Sequence, residues 1–361
     1  MTDSKIEWTD ATWPITVGCT RTAPAGSAQS GCGDASGGGC YAEQSVARVN
    51  RCSIGAGRPA PYADLVRLVK RGDRTVARWT GGAKFFPDRL AMPLRWKRPR
   101  RIFVSSQSDL FHESLTNEQI AAVFGVMAAA PRHTFQVLTK RAARMRAWFE
   151  WVSGMSGVNL TSGAVTRMAC DPLTSCLIKA DRLGAKIPPA DIQHAPSWPL
   201  PNVWIGVSVE NQAAADERIP ELLRTPAAVR WISAEPLIGP VQLGPVGLHY
   251  AYRCDECGDN AVPESDGTCH DCGGGCEMSR DRLDWCVMGA ESGPGARAAD
   301  PAWFRSLAEQ CRDARVPVFF KQAVAGGGVT AGDGSKVKAG GIIGLPYLDG
   351  VQHAAMPEVR K

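Results

Sequence analysis

The sequence has no long apolar run. Its most apolar stretches, such as PVFF at 317–320 and LDWCVMGA at 283–290, fall well short of a membrane span, so no membrane association is expected. It also lacks an apolar leader: MTDSKIEWTD carries acids where a signal peptide carries its hydrophobic core, and a cytoplasmic location is the expectation. Strong charge of one sign is missing too. A net charge of +5 permits a polyanionic partner without demanding one, although RWKRPRR at 95–101 and KRAARMR at 140–146 gather basic residues locally. No glycine-rich phosphate turn follows the first expected strand, which counts against a doubly wound nucleotide-binding sheet. With 44% hydrophobic and 21% charged residues the chain is not of the disordered class, and 361 residues suit one large or two modest domains.

Cysteine is what the chain has in quantity. Thirteen cysteines in a reducing compartment argue against a disulfide framework. Eight are grouped, as Cys19, Cys32 and Cys40 and then as Cys254, Cys257, Cys269, Cys272 and Cys276; Cys52, Cys170, Cys176, Cys286 and Cys311 are scattered. Such clustering points to metal.

Strand and helix signals alternate along the chain. RIFVSSQSDLFH (101–112) precedes a helical pattern at Ile120, Val123, Phe124 and Met127, with Thr116 and Gln119 spaced as a capping box. HTFQVLTKR (133–141), NVWIGVSVEN (202–211), AVRWISAEPLIG (228–239) and LDWCVMGAESG (283–293) repeat the theme. Asp300 and Pro301 are placed to open a helix before the last strand, VPVFFKQ (316–322). Weaker strands near 14–17 and 83–86 bring the count to about eight, which predicts an α/β fold of (β/α)8 type, a full or partial TIM barrel. An open doubly wound sheet is the alternative.

The barrel domain is expected over 1–243 and 283–322, interrupted by an insertion at 244–282 and followed by a glycine-rich tail, 323–361, irregular in part. Long connections are expected at 53–82 and 153–200. Each apolar run ends in polar residues: Ser105, Ser106 and Asp109; Thr139, Lys140 and Arg141; Ser208 and Glu210; Glu235; Glu291 and Ser292; Lys321 and Gln322. In a parallel barrel these ends share one rim, where active sites are built.

The insertion holds two C-x2-C pairs, Cys254/Cys257 and Cys269/Cys272, eleven residues apart. Four thiolates at that spacing match a structural zinc ribbon, with Cys276 and His270 as spare ligands, and zinc would supply folding energy that so small a polar segment lacks. The first group, C-x12-C-x7-C, is less decisive. Its three thiols could hold an open iron–sulfur cluster. With Cys52 as a fourth ligand they would instead make a closed structural metal site.

The segments KIEWTDATW, GC…CYAE, PLRWKRPRRIFVSSQSDLFHE, HTFQVLTKR, VWIGVSVENQAAADERIP, ISAEPLIGPV, GAESGPGAR and VPVFFKQ resemble, in order, the three-cysteine-motif family of bacteriophage proteins. That family is similar to radical S-adenosylmethionine (SAM) enzymes of the spore photoproduct lyase-like branch. The resemblance implies a 4Fe–4S cluster on Cys19, Cys32 and Cys40, with SAM on the remaining iron, and the host bacterial cytoplasm as location. It implies Tyr41, Ser106, Ser208, Gly289, Glu291 and Gly293 as cofactor-binding residues, and Lys140, Glu210, Glu235 and Lys321 as catalytic ones. The glutamates would take SAM's amino and ribose groups; the lysines and Arg141 would take an anion. The gaps between these cysteines are wider than the family's.

The function expected is modification or repair of a nucleic acid or nucleotide, with an electron donor as partner. Two other classes stay open at this point. One is a non-catalytic zinc-dependent nucleic-acid-binding protein on a barrel scaffold; the other is a hydrolase or transferase using the rim carboxylates.

Overall fold

A computed structural model describes residues 4, 6–22, 40–71, 73–154, 172–187, 198–244, 252–254, 258–261, 268–270, 272, 276–278, 282–292, 296–331 and 341–357. The chain opens with β1 (Ala11–Trp13) and β2 (Thr16–Gly18), then α1 (Tyr41–Gly55), the hairpin β3 (Val66–Arg71) and β4 (Arg74–Trp79), and β5 (Ala83–Phe85). Next come β6 (Arg101–Val104), α2 (Asn117–Ala128), β7 (Thr134–Thr139), α3 (Ala142–Gly154), α4 (Pro172–Arg182), β8 (Val203–Ser208), α5 (Gln212–Leu223) and β9 (Val229–Ala234). After β10 (Tyr252–Cys254), β11 (Gly258–Ala261) and β12 (Cys276–Met278) follow β13 (Trp285–Gly289), α6 (Pro301–Asp313) and β14 (Val318–Val324). The last strands are β15 (Val329–Thr330), β16 (Ile342–Gly344), β17 (Tyr347–Leu348) and β18 (Val351–Gln352). No described helix is long and apolar enough to cross a membrane.

Eight strands form one curled, mostly parallel sheet, a half-barrel, in the order β1-β6-β7-β8-β9-β13-β14-β16. The first seven are parallel, and β16 joins β14 antiparallel. Among the described residues no pairing joins the outer strands β1 and β16, so the curl is not closed by hydrogen bonds there. The membership differs from expectation at both ends. Pro14 has no N–H to donate, so the first segment breaks into β1 before it and β2 after it. The stretch at 83–86 is not a barrel strand. Short, half-exposed and followed at once by Pro87, it pairs antiparallel with β2 apart from the main sheet. The eighth strand comes from the tail expected to be irregular in part.

The long connections also contain structure. Residues 53–82 hold the end of α1 and the β3–β4 hairpin, and 153–200 include α4, which packs on α2. A side chain at Gly125 on α2 would collide with the Cys176 carbonyl of α4, so glycine permits the close crossing. The helix starts agree with the sequence. Thr116 and Gln119 form a reciprocal capping box, and Asp300 accepts the Ala302 N–H at 2.8 Å.

Alternation along the strands divides the core in two. Ile102, Val104, Phe135, Val137, Ile205, Val207, Ile232 and Phe320 pack with the helices. The residues between them face the other way, and there Trp204, Trp231, Trp285, Val287 and Phe319 gather with Trp8. Trp8 meets Phe103, Trp231 and Trp285 edge to face at 4.9, 5.3 and 6.2 Å between ring centroids. This tryptophan layer floors the inner side of the half-barrel, below the polar strand ends. Gly206 makes room for it, because a Cβ there would enter the Trp231 indole. Gly206→Ala should therefore destabilise the protein by about 1–3 kcal/mol through overpacking. An unchanged urea midpoint would show that the indole has space to move.

Candidate active site at the strand ends

The turn after β7 places Lys140 and Arg141 between a strand and a helix, beside the loop that leaves β6. Asp109 in that loop is buried and accepts from four donors: the Thr139 hydroxyl, shared between both carboxylate oxygens (2.7 and 2.9 Å), Phe111 N (2.9 Å), Lys140 N (3.0 Å) and Arg141 Nη1 (3.2 Å). Arg141 is buried as well and spends its whole fork here. Its Nε donates to both Glu113 oxygens (2.8 and 3.0 Å), and its Nη2 to the carbonyl and hydroxyl of Thr20 (3.1 and 2.7 Å). Burial works against its charge, but Asp109, Cys19 and Glu113 outweigh that and hold its pKa above the ordinary value. His112 faces the same Thr20, whose N–H donates to Nε2 at 2.9 Å; burial and Arg141 lower this imidazole's pKa.

Thr20 is thus anchored from two strands, and it follows Cys19. The Cys19 thiol lies 3.6 Å from Arg141 Nη1 and donates to the Thr20 carbonyl at 2.9 Å. Its pKa is pushed up to about 12, chiefly by burial and with a smaller push from Asp109, against the pull of Arg141. Cys40 is the N-cap residue of α1. Cys52 is not a fourth ligand: twelve residues along α1 from Cys40, it lies about 18 Å away along the axis and is exposed. Cys32 lies outside the described residues.

Above the tryptophan floor sit two ion-paired groups. Lys140 pairs with Glu210, whose other oxygen accepts Arg218 Nη1 at 2.9 Å; the same Nη1 reaches the Ser208 carbonyl at 2.8 Å. Lys321 pairs with Glu235 at 3.0 Å, and Ser233 Oγ donates to the other Glu235 oxygen at 3.2 Å. Glu235 reaches Lys321 by passing over β13, which it can do because Gly289 has no side chain: a Cβ there would stand 3.0 Å from Glu235 Oε1. Burial works to lower the Lys321 pKa, but Glu235 outweighs it, and Glu7 and Tyr41 add to the rise. Tyr41, the first residue of α1, is 67% exposed.

The other expected residues fall in different settings. Glu291 is gripped by Arg297 through both oxygens, at 2.8 and 3.0 Å. Ser208 is buried, Ser106 is half-buried, and Gly293 lies outside the described residues. Tyr41, expected to bind the cofactor, is exposed, whereas Trp8, Trp13, Trp204, Trp231 and Trp285 are core. Arg218, Thr20 and His112 had no assigned role in the sequence. Arg218 lies eight residues beyond Glu210, about two helical turns, a spacing that could have suggested it.

In the insertion, β11, β10 and β12 form an antiparallel sheet in which Cys254 pairs through its backbone with Gly258 and Cys276. Cys269 is buried and Cys272 exposed; Cys257 lies outside the described residues. Among the described residues no three His, Cys, Asp or Glu side chains converge as a metal site, and each expected cysteine set includes a residue not described.

The family described as "Protein of unknown function (DUF5131)" matches residues 3–357, nearly the whole chain, and the chain belongs to it. No curated protein and no solved structure is detectably similar.

Two outcomes follow from this geometry. Arg141→Gln should cost about 3–5 kcal/mol in urea unfolding, because it strands the buried Asp109 carboxylate; a smaller loss than about 1 kcal/mol would mean that Asp109 is satisfied without it. In metal-free protein near neutral pH, iodoacetamide should label exposed Cys52 well before Cys19, whose thiol stays protonated. Peptide mass spectrometry reads the order, and equal rates would contradict the half-buried placement of Cys19.

Proposed function

We propose that this member of the DUF5131 family is a radical SAM-type enzyme that modifies or repairs a nucleic acid or nucleotide. The observation that carries the reading is the placing of Cys19 at the strand-end site, 3.6 Å from Arg141 Nη1, with Cys40 at the start of α1 and Cys52 about 18 Å further along that helix. Cys19, Cys32 and Cys40 would hold a 4Fe–4S cluster and leave one iron for SAM. The half-barrel then serves as a partial TIM-type barrel around the reaction. When bound, the cluster and SAM supply one-electron cleavage of SAM's sulfur–carbon bond, the electron coming from a separate donor.

The chain's own residues account for the surroundings. Arg141 turns an N–H toward the Cys19 sulfur and offsets thiolate charge. Lys140 and Lys321 offer cationic ends to a carboxylate or phosphate, and Glu210 and Glu235 offer oxygens to amino or hydroxyl groups. The tryptophan floor keeps water out from below, which a reactive carbon centre requires. Tyr41 is available to stack on an unpaired base. Cys254, Cys257, Cys269 and Cys272 would hold a structural zinc. The rim glutamates are each engaged by a cation, which favours this reading over a hydrolase built on them.

Anaerobic purification should give brown protein with about four irons per chain and a spectrum that changes on adding SAM. Cys19→Ala and Cys40→Ala should lose the iron, while Cys254→Ala should lose zinc and keep iron. Colourless protein containing zinc alone would overturn the enzyme reading in favour of a zinc-dependent nucleic-acid-binding protein. Iron unaffected by Cys19→Ala would overturn the ligand assignment.

A further inference from the structure

The positive charge of the chain is concentrated in one unit, α1 with the β3–β4 hairpin. Residues 41–84 hold nine Lys or Arg against three Asp or Glu, an excess larger than the +5 of the whole chain. Two of these cations are neutralised within the unit, Arg78 by buried Glu43 and Lys84 by Asp64. Arg48, Arg51, Arg58, Arg67 and Lys70 are exposed, and Arg71 and Arg74 face each other in backbone register at the end of the hairpin. Exposed apolar side chains occur among them: Tyr41, Val49, Ile54 and Leu68 are four of the six large ones exposed among the described residues. A merely solvated face would carry cations without these.

The unit is rigid at its base. Val46 and Ala47 of α1 pack with Tyr62, Leu65, Val66, Ala77 and Trp79 in a core of their own. Glu43 accepts the Trp79 N–H at 2.9 Å, and Asn50 accepts the Tyr62 N–H at 3.0 Å. Beyond that core the ribbon projects: Leu68 is 57% exposed, and Lys70, Asp73 and Thr75 are exposed as well. The helix that supports the ribbon begins at Cys40, so whatever the ribbon grips lies along the element that starts at the candidate site.

We propose that this unit is a docking surface for double-stranded DNA, with the basic end of the ribbon in the major groove and the α1 arginines on flanking phosphates. The groove of B-form DNA admits a two-stranded ribbon, whereas the major groove of A-form RNA is too deep and narrow for side chains. The proposal deepens the nucleic-acid reading given above, but it does not depend on the cluster.

The test uses the full chain and fluorescence anisotropy with a duplex of roughly 20 base pairs, titrated between about 50 and 200 mM salt. The variant R67A/K70A/R71A/R74A should bind at least about tenfold more weakly and lose roughly 3–4 from the salt slope, about 0.9 for each phosphate contact removed. R48A/R51A, on the helix, should lose about two contacts' worth of slope and guards against a misfolded hairpin. K97A/R98A, in the other basic segment, should bind as the parent does. Affinity unchanged in the ribbon variant overturns the proposal. So does tighter binding to duplex RNA or single-stranded DNA, or binding confined to anionic phosphatidylserine vesicles. Iron analysis of the same samples separates the two readings: iron-free protein that still binds duplex DNA through the ribbon supports docking and counts against the cluster.

Discussion

The candidate site depends on the buried pairing of Arg141 with Asp109. A guanidinium taken out of water is costly, and it is tolerated here because each arm of the fork meets an acceptor: Asp109, both oxygens of Glu113, and the carbonyl and hydroxyl of Thr20. These acceptors come from two parts of the chain and the arginine from a third. The loop after β6, the turn after β7 and the exit of β2 are therefore held in one geometry, and Cys19 takes its place from it. The rigidity comes from below.

The half-barrel is divided along its axis by side-chain type. Toward the start of the strands the inner side is filled with indoles, and Gly206 on β8 gives Trp231 its space. Toward the strand ends the same faces turn to Ser233, Glu235, Glu210, Lys140 and Lys321. The division is what a site handling a reactive species needs, a dry floor and a charged rim. Gly289 belongs to the same design, since its missing side chain lets Glu235 reach a lysine two strands away. Strand-end glycines in such a sheet can thus serve an ion pair as readily as a ligand.

Peripheral elements divide the remaining work. α1 starts after a candidate ligand, Cys40, and supports the basic ribbon through a small core that Val17 of β2 joins. The insertion builds a three-stranded sheet in which Cys254 faces Cys276 across backbone hydrogen bonds. Its position between β9 and β13 leaves the parallel order undisturbed, as expected of a segment with its own source of order.

Much of the architecture was legible in the chain. β-branched runs followed by helical periodicity announced five of the parallel strands, β6, β7, β8, β9 and β13, and the spacing of Thr116 to Gln119 and of Asp300 to Pro301 marked helix starts, because caps act within one turn. The polar strand ends were legible too, since they follow directly from where each apolar run stops. What the sequence could not decide was pairing. Pro87 marks where AKFF, which left the main sheet, must stop, but it does not say which strand AKFF pairs with, nor that the Ile342–Gly344 segment enters the sheet, because a strand's partner is set by which edge is free in three dimensions. Nor could spacing alone exclude Cys52, which only the extension of α1 carries away from Cys40, or reveal that Arg141, Thr20 and Asp109 meet. Contacts across some thirty to one hundred and twenty residues are made by the packing of the whole sheet, and the order of residues alone does not carry that distance.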